Sequence, residues 1–294
     1  MKHTKNLIAI LLVLTACNVT LKAQDLTPRH EVSASFGLGL DGMPFKGPVD
    51  WKSNNGFIVA PGLGYTFWFN QHVGLQTGIV LKHVSFATEY NSGAVENDFA
   101  GMLPMNSNTY GNTTANIHGT ASSCMEKQYY DFIEIPIHVA LTWNNVYGNF
   151  GFSYAKAVCS SAKYSYDGVR YTITALPDMG VTMPTPVPVA LNTAAEGKVE
   201  NGSMYRPSFF LFDGEVGYRF SPDATAKDQL RFGVGLYGRC ALNSYKPEVT
   251  GEMFSLENGK VSTAQPSTTG LVEKIGYYEF GLRLSILLGF GKAK

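Results

Sequence analysis

Three side chains in the middle of the chain are of the types that could form a hydrolytic site. Glu134 and His138 share one face of an alternating segment, and Ser153 lies on the next such segment. A serine nucleophile needs a base within hydrogen-bond distance, and that base needs a third group to orient it. Any Ser, His and Glu inside a narrow barrel would lie near one another, so the constellation is weakly specific. We therefore expect a structural polar core without catalysis; an outer-membrane lipid hydrolase is the alternative.

Two glycine-rich stretches match the nucleotide-binding pattern G-x-G-x-x-G. They begin at Gly37 and at Gly233. That pattern binds a pyrophosphate where a strand turns into a helix. Here the period-two alternation of a strand continues through the glycines, so they are predicted to be small residues that face inward. No cofactor is predicted.

The cysteines follow neither a disulfide framework nor a metal-binding motif. Cys124 and Cys159 are expected toward the outer ends of neighbouring strands, where oxidising conditions would permit a disulfide. Cys240 falls in an apolar row and is interpreted as a small hydrophobic residue. No metal site is predicted.

The elements that must position these residues are eight segments of alternating character. Period-two alternation places successive side chains on opposite faces of a strand. In the clearest segment Ile133, Ile135 and Ile137 share one face, with Glu134 on the other. Lys156 breaks the alternation of the fifth segment and is expected near the rim or following a bulge. The segments cover 31–41, 57–69, 74–82, 133–143, 146–156, 210–220, 230–239 and 278–290.

The glycine-rich and polar faces are predicted to point inward. An eight-stranded barrel has an interior just wide enough for side chains, and eight rows of Phe, Tyr, Leu and Ile would overfill it. A Lys or Arg at mid-depth on a lipid face would cost roughly 2–4 kcal/mol. Near-balance of acidic and basic side chains favours a paired plug over an open channel. The predicted interior network is Glu31, Asp41, Lys82, Glu134, His138, Asp213, Glu215, Arg219, Arg231, Arg239, Glu279 and Arg283.

Aromatic residues are expected to form two belts, because rings favour both lipid interfaces. Aromatic residues also favour strands in general, so the belts alone decide nothing. One belt is predicted from Tyr65, Tyr129, Tyr154 and Tyr278. The other is predicted from Phe69, Trp143, Phe220 and Phe290.

Connections between the segments alternate in length. Short ones at 70–72, 144–145 and 221–229 alternate with long ones at 42–55, 91–128, 165–207 and 247–273. Tight periplasmic turns and long extracellular loops are typical of outer-membrane barrels, with both termini in the periplasm. The third long connection contains a proline-rich run at 183–188 that should be extended. The long connections are expected to be variable, solvated loops; a surface that binds a protein, glycan or phage is the alternative.

The beginning of the chain resembles an export signal. Residues 1–23 combine a basic start with an apolar run too short to span a bilayer. Cleavage after Ala23 is favoured, although the residues before Cys17 resemble a lipobox and would make it a lipid-modified terminus. Residues 24–29 are predicted to be a tether, 30–290 the barrel and 291–294 a short tail.

Composition fits a lipid-facing protein. The chain has 23 basic and 23 acidic residues, so no charge excess indicates a nucleic-acid partner. Charged residues make up 16% of the chain, compared with roughly 25% in ordinary soluble domains. No stretch after the signal approaches the ~18 apolar residues of a transmembrane helix, so any insertion must use strands.

Residues 132–136, with the sequence Phe-Ile-Glu-Ile-Pro, are similar to the aromatic-x-Glu-Ile-Pro signature that opens a central strand in PorT-like outer-membrane β-barrel proteins. The likeness in layout covers the whole mature chain, including the glycine-rich first segment and the last one. The resemblance implies a Gram-negative outer-membrane barrel of a family whose members mostly lack known activities, some of which assist protein secretion. It supplies no catalytic residue.

The sequence therefore predicts an all-β protein: a closed, eight-stranded, antiparallel, up-and-down transmembrane barrel in the cell outer membrane. Its predicted role is structural or interactive, as an envelope or secretion accessory, and a narrow pore or solute channel is the alternative. The predicted partners are outer-membrane lipid, the barrel-assembly machinery during biogenesis, and an envelope or secreted protein.

Overall fold

The computed structural model describes residues 29–47, 52–90, 95–103, 113–189, 192–193, 196–199, 205–221, 229–247, 254–257, 260–263 and 272–291. The predicted signal, most of the tether and residues 292–294 of the tail lie outside these residues. The strands in chain order are β1 (His30–Gly42), β2 (Phe45–Lys46), β3 (Lys52–Trp68), β4 (Val73–Tyr90), β5 (Val95–Leu103), β6 (Thr113–Ala121), β7 (Ser123–Trp143), β8 (Val146–Asp167), β9 (Arg170–Leu176), β10 (Val181–Val189), β11 (Asn192–Thr193), β12 (Glu196–Val199), β13 (Ser208–Phe220), β14 (Gln229–Ala241), β15 (Phe254–Glu257), β16 (Lys260–Thr263), β17 (Lys274–Ile275) and β18 (Tyr278–Phe290).

Eight strands close into a barrel. Around the wall they follow the order β1, β3, β4, β7, β8, β13, β14, β18, and each pairs antiparallel with its neighbours in that order. The pairing of β1 with β18, from His30 opposite Phe290 to Gly42 opposite Tyr278, closes the ring. Each barrel strand therefore has a partner on both sides, which removes the open edges of a sheet. The predicted closed, eight-stranded, up-and-down barrel is confirmed.

Short turns connect the barrel strands at one end. Between β3 and β4 the side-chain oxygen of Asn70 accepts hydrogen bonds from the backbone N–H groups of His72 and Val73, each at 2.8 Å. Such a bond lets an asparagine side chain replace a backbone turn. Between β7 and β8, Asn144 has a φ of 55°, a left-handed conformation that asparagine tolerates better than most residues. The connection at 222–228 lies outside the residues described.

Three of the four long connections form a second sheet at the other end, which we call the cap sheet, while β2 of the first long connection pairs with β17. The order of the cap sheet is β10–β9–β6–β5–β15–β16–β11. Phe99, Ile117, Tyr171 and Phe254 are buried in it and belong to the same hydrophobic cluster as residues at the top of the barrel. The expectation of solvated loops was therefore wrong for much of these connections, because they contain enough apolar residues to form a core.

The proline-rich run lies at the edge of the cap sheet. Strand β10 pairs with β9 at both ends, and the pairing is interrupted between Thr182 and Val187. Because proline cannot donate a backbone hydrogen bond, an edge strand is where a sheet tolerates it. The run is extended, as expected, but Pro177–Met179 just before it forms a 3-10 turn.

The outer face of the barrel is apolar. Large hydrophobic side chains on all eight strands are exposed, including Leu63, Trp143 and Leu236, whose exposed fractions are 69%, 65% and 67%. Aromatic pairs lie toward both ends: His72 stacks on Trp143 at 4.9 Å near the short turns, and Tyr154 contacts Phe210 at 5.1 Å near the cap sheet. No helix among the residues that the structure describes is long and apolar enough to cross a membrane.

Tyr65 was predicted in the wrong belt. It lies opposite Val32 and Thr77, near the short turn that follows β3, and its hydroxyl is 2.8 Å from His30 Nδ1. The reason is chain direction: β3 runs from the cap sheet toward the short turns, so its last residues belong to the belt of Phe69.

The predicted option of a Cys124–Cys159 disulfide is wrong. Cys124 lies opposite Tyr166 and Cys159 lies opposite Asp131, so the two are roughly 20 Å apart along the β7–β8 hairpin. A disulfide requires Cα atoms within about 7 Å, and both cysteines are free. Both residues belong to neighbouring strands, but β8 continues well beyond Cys159.

Lys156 points outward, and a bulge follows it. The pairing of β7 with β8 changes register between Asp131 and Phe132, which leaves Val158 as an extra residue in β8, two positions beyond Lys156. Lys156 lies opposite Ile133 and Ser208, at the upper limit of the apolar face. The position therefore fits the expected rim.

Candidate functional site

The interior of the barrel is filled by charged side chains that the eight strands point inward. Of the twelve predicted network residues, eleven are buried, and the side chain of Arg231 is 13% exposed. They form two groups, one near the cap sheet and one near the short turns. We call them the upper cluster (Lys82, Glu134, His138, Asp213, Arg239, Glu279) and the lower cluster (Glu31, Glu215, Arg219, Arg231, Arg283).

Arg239 on β14 and Lys82 on β4 hold the upper cluster together. Arg239 lies 3.2 Å from Glu134 and also forms an ion pair with Glu279. Lys82 Nζ lies 2.9 Å from Glu279 and contacts Glu134 as well. Two cations and two carboxylates thus alternate across the interior, and each charge meets two opposite charges. Such mutual pairing offsets the cost of taking the ions out of water.

Asp213 extends the upper cluster toward β7 and β8. Its Oδ2 atom is 2.8 Å from His138 Nε2 and 3.5 Å from Arg239 Nε. The Ser153 hydroxyl donates a short hydrogen bond to the same oxygen. Glu134, which was considered as a partner of His138, binds Lys82 and Arg239 instead. Serine and histidine therefore share a carboxylate, and the serine proton is not directed at the histidine.

The lower cluster consists of two smaller groups. Glu31 pairs with Arg231 at 2.6 Å and with Arg219 at 3.5 Å. Glu215 accepts hydrogen bonds from Arg283 at 2.8 Å and from the Tyr147 hydroxyl at 2.6 Å. Each buried carboxylate in this half of the barrel therefore has at least one cation beside it.

Aromatic rings lie against the interior cations. Tyr237 lies 5.0 Å from the guanidinium of Arg239 and 5.0 Å from that of Arg283, so it lies between the two clusters. The Arg219 guanidinium lies 4.5 Å from the Tyr147 ring and 5.7 Å from the Trp68 ring. Contacts of this kind stabilise a cation most where water is excluded.

Asp41 is the predicted network residue that the structure leaves outside the ion pairs. It is fully buried, and neither carboxylate oxygen has a hydrogen-bond partner in the described part of the chain. Its carboxylate lies over Gly56, where an added Cβ would collide with it. The glycine therefore makes room for the carboxylate.

A small cavity lies inside the barrel among the residues that the structure describes. This cavity of about 30 Å³ is lined by Ser33, Gln76, His138, Asn149, Glu215 and Arg283, among others. A space of this volume holds about one or two water molecules. The interior thus has the character of a packed polar core.

Sequence reasoning missed the large inward aromatic residues. Trp68, Tyr147 and Tyr277 are buried inside, and Tyr277 donates a hydrogen bond to Glu279. Their positions have the same parity as Thr66, Asn149 and Glu279, so alternation alone could have found them. The expectation that bulky rings belong outside hid that signal.

Fold and interior together define a closed, charge-filled β-barrel with an apolar exterior. No protein-family model matches the chain, and no curated protein matches it. Among solved structures, the chain is similar to Ail of Yersinia pestis in complex with the heparin analogue sucrose octasulfate, at 10% identity and a TM-score of 0.28, covering 87% of this chain and 99% of that one.

Two other solved structures resemble the chain to a similar degree. The outer membrane protease OmpT from Escherichia coli has 10% identity and a TM-score of 0.32, with 92% of this chain and 99% of that chain covered. The translocator domain of the autotransporter NalP from Neisseria meningitidis has 6% identity and a TM-score of 0.25, with 98% of each chain covered.

Proposed function

We propose that this protein is an integral outer-membrane β-barrel with a structural or interaction role and no catalytic activity. The observation that carries the proposal is the inverted arrangement of side chains: large hydrophobic residues are exposed on all eight strands, while eleven residues of the predicted polar network are buried inside. Soluble monomers rarely expose apolar patches beyond a few hundred Å². Lipid acyl chains, in contrast, would cover this exposed apolar surface and keep it out of water.

In this arrangement the short turns face the periplasm and the cap sheet lies outside the cell. The cap sheet presents a folded surface, so an envelope or secreted protein is a reasonable class of partner. Insertion of the barrel would require the barrel-assembly machinery. The motif at 132–136 supports kinship with PorT-like barrels, since Phe132, Glu134 and Pro136 all point inward and Glu134 joins the upper cluster. A role as a secretion accessory rests on that kinship.

The geometry favours this role over a channel or a hydrolase. An open channel requires a continuous path, whereas Trp68, Tyr147 and Tyr237 occupy the interior. A hydrolase requires a serine activated by its base, whereas Ser153 donates to Asp213. Both alternatives make measurable predictions.

Fractionation and reconstitution of the full chain test the proposal. We expect the protein in the outer-membrane fraction, soluble only with detergent, and without stable single-channel steps in planar bilayers. Steps that vanish with Arg239→Ala or Glu215→Ala would favour the pore. Hydrolysis of purified lipid that His138→Ala abolishes while the barrel stays folded would favour the enzyme. A folded monomer in detergent-free buffer would contradict all three membrane roles.

A further inference from the structure

The exposed hydrophobic residues of the eight barrel strands form a surface that we call the apolar belt. Three lysines form a row across the outer face, between the apolar belt and the cap sheet. Lys127 on β7 lies directly opposite Lys163 on β8, and Lys163 lies directly opposite Lys198 on β12. All three side chains are exposed. We call Lys127, Lys163 and Lys198 the lysine row.

Within the row, the direct opposition of Lys127 and Lys163 is unfavourable for the isolated protein. Side chains directly opposite each other on paired strands have Cβ atoms about 5 Å apart, and like charges there destabilise the sheet. Within the described part of the chain, no carboxylate lies at ion-pair distance from Lys127 or Lys163. The ammonium group of Lys127 lies 5.8 Å from the Tyr129 ring, and the acid two positions further along, Asp131, is paired with His83 at 2.7 Å.

The height of the row indicates what could neutralise it. Ile133 ends the continuous row of exposed apolar residues that begins at Trp143 on β7, and Lys127 follows six positions beyond it; Met125, beyond Lys127, is exposed as well. With about 3.3 Å per residue and a strand tilt near 40°, the row lies roughly 15 Å above the apolar belt. Lys156 lies at the belt's edge, opposite Ile133. Basic residues therefore lead from the edge of the belt to the level where lipid headgroups carry their saccharides.

We propose that the lysine row binds phosphate groups on the saccharide of a glycolipid in the surrounding outer leaflet. The proposal rests on the proposed function, because it requires the belt to be in lipid. Ammonium groups bind phosphate as point charges. A glycolipid whose acyl chains pack on the belt would also be held beside the row at high effective concentration, which a soluble polyanion would not be.

The test measures glycolipid binding to the full-length protein in phosphatidylcholine nanodiscs by native mass spectrometry. The probe is a rough-type lipopolysaccharide with a phosphorylated core, compared with the same material after dephosphorylation. The test variant is Lys127→Gln with Lys163→Gln. The control is Lys46→Gln with Lys274→Gln, which removes two charges from another pair of exposed, directly opposed lysines. Lys127→Arg with Lys163→Arg keeps the charge.

We expect the glutamine variant of the row to bind about ten-fold more weakly or less, whereas the control and the arginine variant bind like the wild type. Dephosphorylation should weaken wild-type binding to a similar extent. Equal binding by the glutamine variant, an equal loss in the control, or no effect of dephosphorylation would overturn the proposal.

The deacylated, phosphorylated saccharide separates the two sources of phosphate. It should bind at least about ten-fold more weakly than the intact glycolipid, and equal binding would overturn the membrane as the source. Insertion into the nanodiscs is measured first for every variant. Failure of the wild type to insert would contradict the proposed function itself, whereas insertion without glycolipid binding would contradict only the lysine row.

Discussion

Arg239 is the residue on which the interior depends most. Its guanidinium lies between the carboxylates of Glu134, Glu279 and Asp213, and its side chain is 1% exposed. A buried ion pair adds little stability compared with a well-packed apolar core, but the removal of one partner leaves the other charge uncompensated. The loss of one cation that serves three carboxylates should therefore be costly.

We predict that Arg239→Met lowers the free energy of unfolding by about 3–5 kcal/mol. Urea unfolding of the protein in lipid vesicles, followed by tryptophan fluorescence, measures the change. Arg206→Met removes an exposed arginine and serves as the control. A loss for Arg239→Met no larger than that of the control would show that the upper cluster contributes nothing to stability.

The alternation along each strand placed the network side chains on the inward face correctly, but it could not assign their ion-pair partners. Alternation puts Glu134 and His138 on the same face, yet Glu134 binds Lys82 from β4 and Arg239 from β14. Those contacts depend on the shear of the closed barrel, which determines the residues that meet across the interior. Sequence spacing along one strand carries no information about that shear.

At the scale of the element, the two faces of each long barrel strand exchange their character partway along. The outward face is apolar in the lower part of the strand and polar in the upper part. In β7, the outward residues from Trp143 to Ile133 are apolar, and above them Asp131 and Lys127 point outward while Tyr130 points inward. The period of two is unchanged. The proposed membrane location explains this exchange of the two faces, since the outer face would meet lipid below the reversal and water above it.

This reversal explains why the upper strands were missed. The row of outward hydrophobic residues on β7 ends at Ile133, so alternation predicts only the lower half of this strand. The cap sheet was missed for a related reason: its strands are short and pair with strands distant in sequence, such as β5 with β15. Such pairings depend on the barrel strands that bring the long connections together.

The 3-10 turn of the cap sheet is held by one carboxylate. Asp178 accepts a hydrogen bond of 2.6 Å from the backbone N–H of Thr114, and this bond holds the pKa of the Asp178 carboxyl below its ordinary value of 3.8. A carboxyl with a depressed pKa contributes stability above its unfolded pKa, and that contribution is lost as the pH falls through the folded pKa.

We therefore predict that the Thr114 amide loses protection against hydrogen exchange as the pH falls below about 4. Exchange measured by mass spectrometry, corrected for the intrinsic pH dependence of the rate, gives the protection factor. Asp178→Ala should show the low value at every pH. A wild-type protection factor that does not change with acidification would contradict the assignment.

The closing pair of strands can be tested by cross-linking. Ala34 on β1 lies opposite Ile286 on β18, so Ala34→Cys with Ile286→Cys should form a disulfide in a background without the native cysteines. Ala34→Cys with Leu284→Cys is out of register and should cross-link far less. Yields are measured by the shift in gel mobility after oxidation. Equal yields for the two variants would contradict the register of closure.

The whole molecule has three parts: a charged interior, an apolar outer face and a sheet over one end. A charge-filled barrel carries an apolar belt outside, and a sheet built from the long connections covers the end opposite the short turns. The number of barrel strands, their order and their inward faces could be predicted from the sequence because they depend on local alternation and on connection length. The cap sheet and the ion-pair partners could not, because they depend on contacts between distant segments. The inward rings follow the same alternation, but the expectation that bulky rings belong outside hid them.

The central claim is that the apolar face of each barrel strand points outward and the polar face points inward. Spin labels on β7 test this claim most directly. Single cysteines carrying a nitroxide replace Ile135, Ile137, Val139, Ala140 and Thr142, in a cysteine-free protein reconstituted in lipid vesicles. We predict frequent collisions with oxygen, which concentrates in lipid, at 135, 137 and 139, and few collisions at 140 and 142. Lipid contact at 140 and 142, or equal oxygen access at all five positions, would contradict the claim.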